Sequence, residues 1–255
     1  MNEPSRRSSA TPAGRDVHPG AGPTAPPPDE AATTHTAADL IADGRVIGFF
    51  FNGGYALLGD VDRVAAADAI FELKRRPRAK TLSLVTDPRF WGGFVDLDHP
   101  AMTRHPLDRA AALHDRLHAV GIVYPADRAK APAHLVEDGT ILNVWSRYGP
   151  LIALQEACRD RGLRALLGAS ANISGAPTAT TIDEMRAAFG NDLPLIVAED
   201  PAVPPNRRQS VSLVDLCGPA PTLLREGNTT EDEVRTALAE VGLGRLVVSP
   251  SVVRL

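Results

Sequence analysis

Gly168-Ala169-Ser170-Ala171-Asn172-Ile173-Ser174-Gly175-Ala176-Pro177-Thr178-Ala179-Thr180-Thr181 lies between two apolar stretches of different period. The run before it, Leu163-Arg164-Ala165-Leu166-Leu167, reads as a buried strand. The run after it, Ile182 to Phe189, reads as a helix closed by Gly190. Gly168 and Gly175 permit backbone angles that other residues resist. Ser170, Asn172 and Ser174 alternate, so on an extended backbone they project to one side. Hydroxyls and an amide set out this way can hold phosphate or carboxylate oxygens. The same residues also suit a plain polar turn with a helix cap at Thr180 or Thr181.

A second stretch lies about a hundred residues upstream. Asp62 is placed to cap a helix whose apolar residues Val64, Ala67, Ile70, Phe71 and Leu73 follow near-helical spacing. That helix should stop before Pro77. Its end delivers Lys74-Arg75-Arg76-Pro77-Arg78-Ala79-Lys80, five cations in seven residues, just before the alternating strand Thr81–Thr86. A solvated helix end would favour two or three cations through the helix dipole. Five beside a strand start point to an anion site, phosphate first.

The rest of the chain fills in around these two. Residues 1–34 are rich in Pro, Ala, Gly, Ser and Thr and read as a disordered tail. Thr36 can cap a short helix, Ala37 to Asp43, ended by Gly44. Arg45–Phe51 reads as a strand, Asn52-Gly53-Gly54 as a turn, and Tyr55–Leu58 as a second strand. Pro106 to about Val120 has a helical pattern. His114 and His118 share a face there, but no acidic partner completes a metal set, so they read as surface histidines and no metal site is assigned. Gly139–Trp145 reads as a strand, and Pro150 opens a helix running to Arg159. Leu193–Ala198 and Ser210–Leu216 read as strands, with Pro221–Arg225 pairing to the latter as a hairpin. Thr230 and Glu233 form a capping box for a helix from Glu231 to Val241. Residues 246–255 read as a last strand or a tail. Alternating helices and strands favour one α/β (α+β) domain over residues 35–245, with a mixed sheet.

Composition narrows the function classes. The chain has 255 residues, 44% of them hydrophobic, which is enough for a sizeable core. A net charge of −4 argues against a generally basic nucleic-acid binder. The two cysteines, Cys158 and Cys217, make neither a disulfide framework nor a zinc pattern, and buried free thiols suit a reducing cytoplasm. No run of about 18 apolar residues offers a membrane span.

Together the two motif stretches resemble the YrdC/YciO family. Ile70–Leu82 is similar to its lysine-x-arginine segment and Ser170–Gly175 to its serine-x-asparagine segment. Val211–Leu216 with Leu223-Leu224-Arg225-Glu226-Gly227 is similar to its C-terminal strand and loop on the nucleotide side. The resemblance runs from about Ala37 to Val241. It implies a twisted, largely parallel or mixed sheet flanked by helices, with a concave basic face. It also implies adenylate-forming chemistry. Members make threonylcarbamoyl-adenylate from L-threonine, bicarbonate and ATP, with magnesium, releasing pyrophosphate, and the product serves tRNA modification. On this resemblance Lys74, Arg76, Ser170 and Asn172 are the expected catalytic residues. Lys80, Ser174, Ser212 and Arg225 are expected to bind the nucleotide. Phe51, Asn52, Gly53 and Tyr55 are expected to line the amino-acid pocket.

The departures fall in that pocket. The family's proline-threonine-x-threonine-x-tyrosine-glycine-leucine segment corresponds to Phe50–Leu57, so Phe51 and Gly53 replace both threonines. Each lost hydroxyl removes a hydrogen bond worth about 0.5–1.5 kcal/mol net. Val144-Trp145-Ser146 stands where the family carries an arginine and a proline, with Arg147 nearby. Alternatives are therefore a paralogue that makes a carbamoyl- or acyl-adenylate from another acceptor, and a non-catalytic nucleotide- or double-stranded-RNA-binding module.

Overall fold

The structure is a computed structural model that describes residues 28–254 apart from 52, 118 and 199. Helices and strands alternate along most of it. α1 (Pro28–Ala42) leads into a hairpin of β1 (Ile47–Phe51) and β2 (Gly54–Asp60), then α2 (Val64–Leu73) and β3 (Ser83–Val85). Next come α3 (Pro100–Arg104), α4 (Leu107–Arg116), β4 (Val120–Pro125), β5 (Val136–Glu137) and β6 (Thr140–Trp145). α5 (Gly149–Asp160), β7 (Leu166–Ser170), α6 (Ile182–Phe189), β8 (Ser212–Asp215), β9 (Thr222–Glu226), α7 (Glu231–Glu240) and β10 (Val247–Arg254) complete it.

All ten strands form one sheet, ordered β1-β2-β7-β3-β6-β4-β8-β9-β10, with β5 beside β6. The sheet is mixed and flanked by helices, as expected. β3–β6, β4–β8 and β9–β10 are parallel and the other pairings antiparallel, so antiparallel neighbours predominate. The basic stretch and the Ser170 loop meet because β7 pairs with β3 (Ser83 opposite Gly168) and with β2 (Ala56 opposite Ser170).

Strand alternation sends side chains to two apolar clusters. Phe50, Leu57, Leu84 and Leu167 enter one, while Ile47, Phe49, Phe51, Leu58, Val85 and Leu166 enter the other. Ala37, Ala38 and Ile41 of α1 and Leu151, Leu154 and Cys158 of α5 join the second cluster, so these helices cover part of that face. Toward β6 and β8 the cover ends. β6 alternates half-buried Thr140, Leu142 and Val144 with buried Ile141, Asn143 and Trp145. β8 does the same, with Leu213 half-buried and Ser212 and Val214 buried. The open part of this face is the floor of a cleft.

Several elements differ from their sequence reading. α1 starts at Pro28, so Thr36 lies inside the helix and its hydroxyl donates to the Ala32 carbonyl. Proline suits a first turn, and Ala37, Ala38 and Ile41 supply the buried stripe. The expected tail otherwise lies outside the described residues. Asp62 does not cap α2; the N-cap is Arg63, without a side-chain bond, and Asp62 pairs with Arg164 at 2.7 Å. Leu193–Ala198 makes only an isolated bridge, Gly48 to Ile196, in which the Gly48 N–H donates to the Leu195 carbonyl and the Val197 N–H to the Gly48 carbonyl. β4 was not expected: its burial is nearly continuous, so it lacks the alternation that marks a strand. His114 is not a surface residue. It is buried against Trp91 (centroids 5.6 Å apart) and Tyr124, and burial pulls its pKa down to about 3. His118 lies outside the described residues. Cys158 and Cys217 are both free thiols, the first buried and the second half-buried. Among the described residues no helix is long and apolar enough to cross a membrane.

Candidate anion-binding cleft

The cleft on the open sheet face has a volume of about 360 Å³. Arg76, Thr81, Ser83, Glu137 and Thr140 line it, as do Ser170, Thr178, Gln209, Ser210 and Arg225. Phe51, Ala56, Val85, Leu142, Val144, Val211 and Leu213 supply apolar surface.

Lys74 sits behind the cleft wall. It is the C-cap of α2 and only 1% exposed. Its ammonium donates to the Ser170 carbonyl, to the Asn172 carbonyl at 3.0 Å and to Asn172 Oδ1 at 2.7 Å. Ser170 Oγ donates to the same Asn172 Oδ1 at 2.7 Å. The Asn172 amide donates to the carbonyls of Ala176 (2.7 Å) and Ile173 (3.1 Å). The Ser174 N–H donates to the Lys74 carbonyl at 2.8 Å. One buried cation thus gathers the loop after β7. Burial, and secondarily the charge of Arg76, pulls the Lys74 pKa down to about 7.

Arg76 and Arg225 face the cleft itself. Arg76 Nη2 donates to the Thr81 carbonyl at 2.9 Å, while its Nε is buried without a partner. Arg225 donates through Nε and Nη2 to the Val211 carbonyl, at 3.0 and 2.8 Å. Burial lowers the pKa of both, opposed at Arg76 by Glu137. Glu137 Oε2 accepts from Thr81 Oγ1 at 3.1 Å and is the one carboxylate among the described lining residues. Arg76 and Arg225 thus line the cleft and Lys74 lies behind it; all three hydrogen-bond to neutral groups, and none forms an ion pair among the described residues. A cleft lined by two desolvated guanidiniums against one carboxylate is suited to bind an anion.

The other expected residues are placed as follows. Ser170 lines the cleft, but β7 ends there, so Asn172 turns back into its own loop and Ser174 is exposed outside the cleft. The expectation that these three share one side fails because the extended backbone stops at Ser170. Lys80 is exposed and does not line the cleft. Ser212 is fully buried; its hydroxyl donates to the Thr229 carbonyl at 2.5 Å and accepts from the N–H groups of Gly227 (2.9 Å) and Thr229 (3.3 Å). It shapes the loop after Arg225 from inside the fold, and Ser210 is the serine in the cleft. Phe51 and Tyr55 line the cleft and Gly53 does not. Gly53 has φ +126°, and a Cβ there would collide with the Arg207 carbonyl oxygen. Asn52 lies outside the described residues. Trp145 is buried away from the cleft, and Arg147 is exposed, 3.5 Å from Asp115.

Sequence reasoning missed Glu137, Thr140, Thr178, Gln209 and Ser210. For the first two a signal existed. Asp138-Gly139 adopts φ +48° and +82°, the hairpin turn that Asp-Gly favours, and it sets Glu137 opposite Thr140.

Comparison with known proteins gives the family of the chain that carries this cleft. A family model covering the Sua5, YciO and YrdC proteins, described as telomere recombination, matches residues 39–227. The chain belongs to the Sua5/YciO/YrdC family. Threonylcarbamoyl-AMP synthase of Escherichia coli O6:H1 is 30% identical over 163 residues, covering 64% of this chain and 82% of that protein. The corresponding protein of Escherichia coli K12 is 29% identical over the same length, with the same coverage. Among solved structures, Sua5 of P. abyssi complexed with L-threonine superposes with a TM-score of 0.69 at 20% identity, over 86% of this chain and 60% of that one. This chain thus spans about three-fifths of that longer protein. E. coli YciO gives a TM-score of 0.59 at 17% identity, over 77% of this chain and 90% of its own. At such identities these structures establish the shared fold.

Proposed function

We propose that this chain is an ATP-dependent, adenylate-forming enzyme resembling L-threonylcarbamoyladenylate synthase. The observation that carries the reading is the meeting of Arg76 and Arg225 on one cleft, each hydrogen-bonded to a backbone carbonyl, with Lys74 clamping the Ser170 loop behind its wall. In the reaction a carbamate oxygen, formed from an amino acid and bicarbonate, attacks the α-phosphorus of ATP. The bond to the β-phosphate oxygen breaks and pyrophosphate leaves. Both reactants are anions, so cations held without counter-charges offset their repulsion and stabilise the transition state. Arg76 and Arg225 make the direct contacts, and Lys74 holds Ser170 and its loop in register behind them.

Magnesium accompanies ATP and neutralises phosphate charge. Among the described residues no cluster of acidic, histidine or cysteine side chains could cage it, and Glu137 is the single carboxylate lining the cleft. The donor set fits an ion carried in on phosphate oxygens. A cytoplasmic location and delivery of the product to tRNA modification belong to the same proposal.

The test is pyrophosphate release from ATP, magnesium and bicarbonate, with and without L-threonine. Threonine-dependent release supports the family reaction with its usual acceptor. ATP binding without release under any acceptor removes the enzymatic reading and leaves a nucleotide- or RNA-binding module.

A further inference from the structure

One wall of the cleft is held from outside it. Residues 203–211 form a strap that ends in Gln209, Ser210 and Val211, all three on the cleft. The Val211 carbonyl accepts both bonds of the Arg225 guanidinium, at 3.0 and 2.8 Å. Where the strap lies therefore sets where one of the two cleft guanidiniums lies. The strap has little burial of its own, since Val203 is the one buried residue among 201–211. Two glycines let it come close to neighbouring loops. A Cβ on Gly53 would collide with the Arg207 carbonyl oxygen, and one on Gly227 with that of Ser210. The Asn228 N–H donates to the Ser210 carbonyl at 2.9 Å, and the Thr178 and Ser210 hydroxyls share a bond of 2.8 Å. A segment with so few buried apolar contacts depends on polar ties of this kind.

The charged tie reaches across to α7. Arg207 Nη2 donates to Glu233 Oε1 at 2.7 Å, and Nη1 donates to Glu233 Oε2 at 3.0 Å and to the Asn228 carbonyl at 2.9 Å. A two-pronged guanidinium–carboxylate pair is the strong, directional form of such a contact. Glu233 is itself fixed, because its Oε2 accepts from the Thr230 N–H at 2.8 Å and the Thr230 hydroxyl at 3.0 Å. The bonds from Arg207, and then those from Thr230, pull its pKa down to about 2. The capping box alone has no need of that charge, since glutamine serves at this position as glutamate does. The charge is what Arg207 uses. Glu233 does not line the cleft. We propose that Glu233 is a positioning residue for the reaction: by clamping Arg207 it holds the strap, and with it Arg225, in place for the anionic ligand. This rests on the reading of the cleft as the ATP site.

Two substitutions separate the clamp from the cap. Glu233→Gln keeps the capping box and removes the charge on Arg207, while Thr230→Ala opens the box and leaves the fork. Losing a partly exposed ion pair shifts the docked strap by about three- to fivefold. The apparent affinity for ligand falls with the docked fraction, so magnesium-ATP should bind Glu233→Gln about three- to fivefold more weakly. Bound ATP redocks the strap, so kcat should stay within about twofold while KM for ATP rises. The experiment is calorimetric titration of magnesium-ATP into the full chain, as wild type, Glu233→Gln, Arg207→Met, their double variant and Thr230→Ala, with pyrophosphate release measured alongside. Glu233→Gln and Arg207→Met should each weaken binding, the double variant no further than either alone, because both break one contact. Thr230→Ala should bind as the wild type does. Unchanged affinity in Glu233→Gln, additive losses in the double variant, or an equal loss in Thr230→Ala overturns the inference and leaves the adenylation reading standing. The expected binding pattern without pyrophosphate release removes the adenylation reading and leaves the clamp. A wild type that does not bind magnesium-ATP overturns both.

Discussion

Replacing Lys74 with methionine should change the pH dependence of stability while removing activity. Burial holds the ammonium's pKa at about 7, against 10.5 in water. A shift of that size corresponds to about 5 kcal/mol of differential cost. The sign follows from proton counting. Between pH 7 and 10.5 the unfolded chain keeps the Lys74 proton and the folded chain releases it. The unfolded state then binds more protons, so stability rises with pH, by up to about 1.4 kcal/mol per unit. Methionine removes that slope. It also takes a donor from the Ser170 carbonyl, which keeps the Asn172 N–H, and from Asn172 Oδ1, which keeps the Ser170 hydroxyl, and it strips the Asn172 carbonyl of the ammonium, at about 1–3 kcal/mol for that acceptor. At pH 7 the relieved ammonium roughly offsets the lost bonds, and at pH 9.5 it no longer does. Urea unfolding should show the wild type gaining about 3 kcal/mol over the variant between pH 7 and 9.5. Pyrophosphate release should fall at least ~100-fold at every pH, because the loop that presents Ser170 loses its anchor. Parallel stability curves would refute the assignment of Lys74 as a buried, depressed cation, and unchanged turnover would refute its role.

Other substitutions probe the surrounding frame. Asn172→Ala removes the acceptor shared by Lys74 and Ser170 and two bonds within the loop. Hydrogen exchange over 170–177 should accelerate at least tenfold, with turnover lost. Gly53→Ala forces a Cβ onto the Arg207 carbonyl at a positive φ. It should cost at least about 1–3 kcal/mol in thermal or urea unfolding. Thr230→Ala opens the capping box of α7 and should cost about 1 kcal/mol without altering ligand affinity. A titration of ATP into that variant checks the second part.

The legible parts of the chain were those where local chemistry and tertiary role coincide. The helix after Thr181 was read with its bounds, because its capping box, apolar stripe and terminal Gly190 all act locally. The capping box at Thr230 and the turn at Gly53 were legible for the same reason. β4 was not, since a strand buried on both faces shows no alternation. The site was legible as a meeting of two segments but not in its division of labour. Spacing placed Lys74 and Arg76 together, but only the pairing of β3 with β7 decides which one is enclosed. Ser212 reads like Ser210 in sequence, and on one strand the two would share a face; they part because β8 begins at Ser212 and leaves Ser210 in the loop before it, beside the cleft.

That division implies that the two cations of the motif tolerate opposite exchanges. Lys74 occupies a fully enclosed position whose acceptors converge on one point, as suits a compact ammonium. A guanidinium is larger and planar and would leave several of its five donors unpaired there. Lys74→Arg, although it conserves charge, should therefore destabilise the chain more than Lys74→Met does at pH 7, by about 1–3 kcal/mol through overpacking alone. Arg76 has open space before it and one carbonyl partner. Arg76→Lys should keep the fold and a residual affinity for ATP, losing the forked contact and about tenfold in binding, close to one charge-assisted hydrogen bond. Urea unfolding and ATP titration of the two variants side by side separate the roles. If Lys74→Arg is as stable and active as the wild type, the enclosed-clamp reading is wrong and Lys74 must reach the cleft directly.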